Sequence, residues 1–295
     1  MKVIIPLTRK NTPLTHLASE QPEPLLSLAG NTILGHILML LQAVTTEEVI
    51  FATGEHEETI KAWLAESFPA VPARFVQVNT PGRSKSVLAC AAYLDEREVL
   101  VVSGRSLAEA DYASIPEPEA DVVVMSRPAE PTLDANVWWF RNGRSLLKAL
   151  QATTSFTDAL KHLHRQGANL VRKPVKQWLP VNTPDNLLLA NKRLLGLGRG
   201  ATPDAIDRSY AEDFTVMPPV YIAEDAYIES SVIGPYTHIG SGVTVKNAIL
   251  SNCIAEDHAQ IENAILNSSF VGHNTQITGR IQKLFVGDNS TVQLT

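Results

Sequence analysis

Apolar positions along the chain follow two different periods, and the change from one to the other divides it. In the first two thirds, short apolar runs alternate with stretches of helical spacing. Val3-Ile4-Ile5 predicts a short buried strand stopped by Pro6, and Ile33 opens an amphipathic helix carrying Leu34, Ile37, Leu38, Leu41 and Val44. Residues 48–52 (EVIFA) predict a strand, and residues 57–67 a helix with Ile60, Trp63 and Leu64 on one face. A strand over 74–78 and a helix over 84–94 follow, then the continuous apolar run 99–103, which reads as a central, buried strand. Residues 121–125 and 136–140 predict two more strands, with Trp138 and Trp139 read as one core and one interface residue. A helix over 156–166 presents Phe156, Ala159, Leu160 and Leu163, and places His162 and His164 on different, solvated faces. Thr183-Pro184 supplies an N-cap and a first helical position for a helix running through Leu195. Strands and helices in alternation predict a mixed, mostly parallel sheet covered on both sides.

Glycine and charge mark residues 196–213 as a linker, with Gly196, Gly198, Gly200 and Pro203 in it. Beyond it the period becomes six. Val216, Ile222 and Ile228 are six apart, as are Ile233, Ile239 and Val245, Val271 and Ile277, and Val286 and Val292. Glycine follows the aliphatic residue in Ile233-Gly234, Ile239-Gly240 and Val271-Gly272. This is the hexapeptide repeat of a left-handed parallel β-helix, with room for about four coils. The predicted domains are therefore 1–195, a linker over 196–213, and a β-helix over 214–295.

Composition narrows the function classes. The chain has 295 residues, 44% hydrophobic and 19% charged, the balance of a globular protein. Its net charge of −6 lacks the basic stripe that nucleic acid or an anionic membrane surface needs. Two cysteines, Cys90 and Cys253, fall in different domains and are expected as packed, reduced thiols. No signal-like or membrane-spanning run occurs, and the expected location is the cytoplasm.

The first thirty-four residues place a strand, a long loop and a helix in succession, a usual start of a nucleotide-binding α/β domain, yet the loop holds no glycine before Gly30. A phosphate cradle needs glycines, because the backbone must turn sharply to aim its N–H groups at oxygens. The stretch nevertheless resembles, without a gap, the start of the sugar-1-phosphate nucleotidylyltransferases, of the thymidylyltransferase and guanylyltransferase kind. Pro22-Glu23-Pro24-Leu25-Leu26 lies on the family's PKPLL, and Leu28-Ala29-Gly30 on its VAG. The resemblance puts the family's loop glycines on Thr8, Arg9 and Asn11, its signature arginine on Pro13 and its phosphate-binding lysine on Glu23. Residues 77–87 resemble its base-reading loop, with Gln77 and Gly82 matching and Arg83, Ser84, Lys85 and Ser86 departing. Gly104-Arg105 lies on its Gly-Asp, whose aspartate holds magnesium, and Pro180 lies on its second magnesium aspartate. The interval 126–135 is far shorter than the family's sugar-gripping segment.

The resemblance therefore implies a Rossmann-like nucleotidyltransferase domain whose catalytic and metal positions are replaced. It implies no catalytic residue, no metal ligand and no cofactor, since the positions for magnesium are Arg105 and Pro180. The remnant nucleotide pocket would comprise Thr8, Arg9, Asn11, Glu23, Gln77, Gly82, Gly104 and Arg105. Three functions are compatible with these residues. One is a non-catalytic protein that binds a nucleotide or nucleotide sugar, or serves as a regulatory or structural subunit, as a homo-oligomer or with an active paralogue. Another is an active enzyme in which Arg9, Lys10, Arg83 or Arg105 replaces the metal as phosphate binder. The third is acyl transfer on the β-helix by His238, His258 or His273, residues otherwise expected on exposed coil corners.

Overall fold

The computed structural model describes residues 1–8, 12–15, 17, 21–127, 134–205 and 213–280. Two compact units result, Met1–Ala201 and Thr202–Thr295. In chain order the first unit contains β1 (Lys2–Pro6), β2 (Ser27–Leu28), β3 (Asn31–Thr32), α1 (Ile33–Leu41), β4 (Glu48–Thr53), α2 (Glu57–Ser67), β5 (Ala73–Gln77) and α3 (Arg83–Ala89). It continues with β6 (Val99–Val102), β7 (Ser106–Glu109), β8 (Val122–Ser126), β9 (Asp134–Phe140), α4 (Gly143–Gln151), α5 (Phe156–Arg165), β10 (Leu170–Pro174), β11 (Gln177–Pro180) and α6 (Pro184–Gly196).

Seven strands form one sheet in the order β10-β8-β9-β6-β1-β4-β5. β1 is parallel to both its neighbours, with Ile4 opposite Ile50 on one side and Val101 on the other. β9 runs antiparallel to β6 and β8, and the other pairings are parallel, so the sheet is mixed and mostly parallel. Side chains alternate across each strand, and both faces are covered. On one face Ile4, Ile50, Val101, Val124 and Trp138 pack with Val87, Leu146, Leu150, Phe156 and Leu163 of α3, α4 and α5.

That covering corrects the reading of the tryptophan pair. Trp138 and Trp139 point to opposite faces of β9, and both are buried, because an inner strand of a doubly covered sheet has no exposed face. Trp138 meets the Phe156 ring at 4.6 Å and Trp139 lies under the Arg141 guanidinium. The helix expected over 84–94 is also shorter: α3 ends at Ala89, Cys90 leaves the helical conformation, and a 3-10 turn covers Ala91–Tyr93. Thr183 caps α6 by accepting from the Asn186 N–H, with Pro184 at the first helical position. Both cysteines are buried free thiols, and burial pushes the Cys90 thiol up to about 12.

Among the described residues of the second unit, twelve strands of two or three residues build three parallel sheets of four, the arrangement of a left-handed parallel β-helix. Its core is a stack of inward aliphatic residues including Ile222, Ile228, Ile233, Ile239, Val245 and Leu250. Paired residues show the length of each coil: Thr215 stands against Val232 and Val232 against Ile249, 17 residues on each time, whereas Ile249 stands against Ile265, 16 on. The six-residue step is therefore interrupted by five-residue steps, as from Ile228 to Ile233 and Leu250 to Ala255. Corners absorb the difference. Ser230, Asn247 and Asn263 stack in one corner column with φ of 46°, 48° and 55°, the left-handed region that short polar side chains tolerate. Their amides donate to Asp213, Glu229 and Lys246 carbonyls of the preceding coil. Val286 and Val292 lie outside the described residues.

At the amino-terminal edge of the large sheet, Lys2 is buried and its ammonium donates to Asp95 at 2.9 Å and to the Tyr93 carbonyl at 3.2 Å. Asp95 also accepts from Arg97, and these two partners, Arg97 first, hold its carboxyl well below the usual carboxylate range. A carboxyl depressed on folding stabilises the protein above its unfolded value near 4 and stops doing so as the pH falls. Asp95→Asn is expected to cost about 1 kcal/mol at pH 7, the partly exposed site being screened by solvent. It should also remove part of the stability that the wild type loses on acidification below about pH 4. Urea unfolding at pH 7 and pH 3 checks this, and an unchanged acid dependence in the variant would refute it.

Candidate functional site

The chain runs from β1 to β4 and β5 on one side, then returns to place β6 on the other side of β1. Ligands of open α/β sheets bind beyond the carboxyl ends of the strands at such a reversal. Here the ends of β1, β4 and β5 border a cavity of about 470 Å³ lined by Leu7, Thr8, Glu23, Glu55, His56 and Gln77, among others. Three of the predicted pocket residues, Thr8, Glu23 and Gln77, therefore meet in one place. Arg9 and Asn11, with Lys10, lie outside the described residues.

The local chemistry of each differs from a phosphate cradle. Thr8 is buried, and its hydroxyl is hydrogen-bonded to the hydroxyl of Ser86 in α3, which ties the loop to the helix. Glu23 begins a 3-10 turn between Pro22 and Pro24, and its carboxylate accepts from the hydroxyls of Thr12 and, at 3.4 Å, Thr15. Gln77 ends β5 and is exposed. Gly82 holds φ 127° and ψ 139° at the start of α3, a conformation that side chains disfavour, with open space around its Cα. Among the described residues lining the cavity there is no lysine or arginine, whereas Glu23 and Glu55 are both there.

Arg83 is held within the fold. Its guanidinium donates to Asn136 Oδ1 at 2.6 Å and lies 4.5 Å over the Trp138 ring, so that it serves β9 and α5. Asn136, at φ 62°, in turn donates to Ser106 Oγ at 3.2 Å.

Gly104 and Arg105 form the turn between β6 and β7. A Cβ on Gly104 would come within 2.9 Å of Leu7 Cδ2, so this turn packs against the loop after β1. β7 and β11 pair antiparallel, with Ser106 opposite Pro180, and the Val181 N–H donates to the Arg105 carbonyl at 3.0 Å. Arg105 and Pro180, far apart in sequence, are thus brought side by side. Neither offers an oxygen lone pair from its side chain, and no group of three or more His, Cys, Asp or Glu suited to a metal occurs among the described residues. A magnesium ion does not fit these two positions.

Sequence reasoning missed a second, largely apolar cavity of about 450 Å³ beside α1, whose lining includes His36, Met39, Leu179 and Arg199. His36 Nε2 lies 2.7 Å from the Leu28 carbonyl, and burial lowers its pKa below that of an ordinary imidazole. Ala29 and Gly30, at φ 44° and 75°, also line it, and no sequence pattern marks it. In the β-helix the expectation for His238 needs correction: it is buried in the strand Thr237–Ile239 and stacked on Tyr221 at 4.7 Å, because its corner-like sequence context falls within a strand. His258 does sit at a corner, at φ 60°, with the His273 ring 5.6 Å away.

No protein-family model matches the sequence, and no curated protein matches it. Solved structures do. The chain is similar to a UDP-glucose pyrophosphorylase from Acinetobacter baumanii with a TM-score of 0.56, over 66% of this chain and 93% of that one, at 12% identity. At that identity the likeness defines the fold: an α/β sheet of the nucleotidyltransferase kind, here in a chain that also contains a β-helix.

Because only the backbone conformation demands glycine at position 82, Gly82→Ala should cost about 1 to 2 kcal/mol without any steric clash. The shift of the urea midpoint measures it; an unshifted midpoint would mean that the turn relaxes freely.

Proposed function

We propose that this chain is a nucleotidyltransferase-fold protein that binds a nucleotide or nucleotide sugar without catalysing metal-assisted transfer. It acts as a regulatory or structural subunit in nucleotide-sugar metabolism, as a homo-oligomer or with an active paralogue. The observation that carries this reading is the adjacency of Arg105 and Pro180 at the strand reversal. Nucleotidyl transfer depends on positioning and on neutralising phosphate charge, for which a carboxylate-held metal is the usual means. A guanidinium in that place repels a cation by about 4 kcal/mol per unit charge at 4 Å and an effective dielectric of 20, and arginine does not lose its proton to relieve this. The Glu23 carboxylate, engaged by threonine hydroxyls, adds negative charge to the cavity where a triphosphate would need cations. The cavity itself, at the carboxyl ends of β1, β4 and β5, supports retained binding.

A second reading, an active enzyme with a rewired site, draws on the position of Arg105 at the strand reversal, where guanidinium can bind phosphate. Release of pyrophosphate from a nucleoside triphosphate and a sugar phosphate without magnesium would favour it. Under the first reading, titration calorimetry with UTP, dTTP, GTP and their sugar conjugates should reveal one ligand whose affinity is the same with and without magnesium. Absence of binding to all of them would overturn it. Arg105→Asp alone should yield no transfer activity, since Pro180 and Glu23 remain; activity in that variant would defeat the reading.

A further inference from the structure

Four arginines among the described residues are half-buried: Arg83, Arg105, Arg127 and Arg141. Three of them are engaged. Arg83 is held by Asn136 and the Trp138 face, Arg127 lies 3.9 Å over the Trp178 ring, and Arg141 donates to the carbonyls of Glu117, Pro118 and Ala120. Arg105 differs: among the described residues its side chain has no hydrogen bond, ion pair or ring contact, and only its backbone carbonyl is used, by Val181. Withdrawing a guanidinium partly from water without a partner costs free energy, and a bound anion is what offsets that cost.

Its place in the fold agrees. Arg105 follows β6, so it stands at the strand reversal beside β1, where ligands of open α/β sheets are received. The Gly104 turn that positions it rests on Leu7, and Leu7 is a wall of the 470 Å³ cavity. The residue next to it, Ser106, accepts from Asn136, which accepts in turn from Arg83, so the neighbouring guanidinium is already committed while that of Arg105 is not. Glu23 and Glu55 lie on the cavity side over β1, β4 and β5. Arg105 is not among the described residues that line this cavity, so its guanidinium is kept apart from those two carboxylates.

We propose that Arg105 is the anion-binding residue of this site, gripping an oxyanion of a small ligand, phosphoryl or carboxylate, directly and without metal. The inference rests on the nucleotide-binding reading and specifies how such a ligand is anchored: its uncharged part occupies the cavity and its anionic group lies at Arg105. Guanidinium presents two parallel N–H donors to an oxyanion, which a lysine ammonium does not.

The test is calorimetric titration of the full chain at low ionic strength, without magnesium, using inorganic pyrophosphate in one arm and malonate in the other. Wild type, Arg105→Gln, Arg105→Lys and the surface control Arg165→Gln are compared, with circular dichroism to verify folding. The wild type and the control are expected to bind one of the two probes. Arg105→Gln should weaken that binding by roughly tenfold or more, and Arg105→Lys by less, as loss of a charge-assisted contact implies. Equal affinity in wild type and Arg105→Gln, or no binding of either probe by the wild type, overturns the proposal. If Arg105→Gln does not fold, Arg105→Lys decides, since unchanged affinity there removes the two-donor grip. The two readings fail separately. A nucleotide bound equally by wild type and Arg105→Gln would spare the general function and sink this inference. Pyrophosphate held by Arg105 with no nucleotide or nucleotide sugar bound would do the reverse.

Discussion

The position of β1 in the large sheet constrains everything that follows in the first unit. Its apolar residues are entirely buried and hydrogen-bonded in parallel to β4 on one side and β6 on the other. A strand so enclosed is built mainly from apolar residues, and it leaves its following loop at the place where the chain changes direction across the sheet. The cavity, the Gly104 turn and the β7/β11 ribbon are all arranged around that exit. The strands set the course of the backbone at this exit, and the polar residues Thr8, Thr12, Thr15 and Glu23 are carried on it.

Much of this frame was legible in the sequence because it rests on apolar periodicity. The runs Val3-Ile4-Ile5 and 99–103 gave central strands, and Thr183-Pro184 gave a capped helix, since strand burial and helix capping are local in origin. The β-helix was legible for the same reason, repeated inward residues every six positions. The coil lengths of 16 and 17 were not, because the shortened steps lie at corners whose conformation depends on the coil below.

The candidate site was legible by position and less so by contact. Thr8, Glu23 and Gln77 line one cavity, Gly82, Gly104 and Arg105 are not among its lining residues, and Arg105 lies beside Pro180, because the strands that carry them are set by the sheet. The engagement of Arg83 with Asn136 was hidden, since it joins residues 53 apart across two elements. The tryptophan pair was misread because the second covering layer of the sheet is formed by remote segments, and His238 because stacking on Tyr221 is a contact between successive coils. Sequence patterns report what neighbours in the chain do to one another; these contacts are made by neighbours in space.

The stacked coils of the second unit have a consequence for how such a chain changes over generations. Among the described residues the strands of each coil pair with those of the coil before and the coil after, and each corner column repeats the same left-handed conformation. A whole coil can therefore be gained or lost with its neighbours' pairing intact, so the length of this unit varies in quanta of 16 or 17 residues. Smaller insertions can be accommodated only at the corners, where the passage from 17 to 16 residues already occurs without disturbing the aliphatic stack.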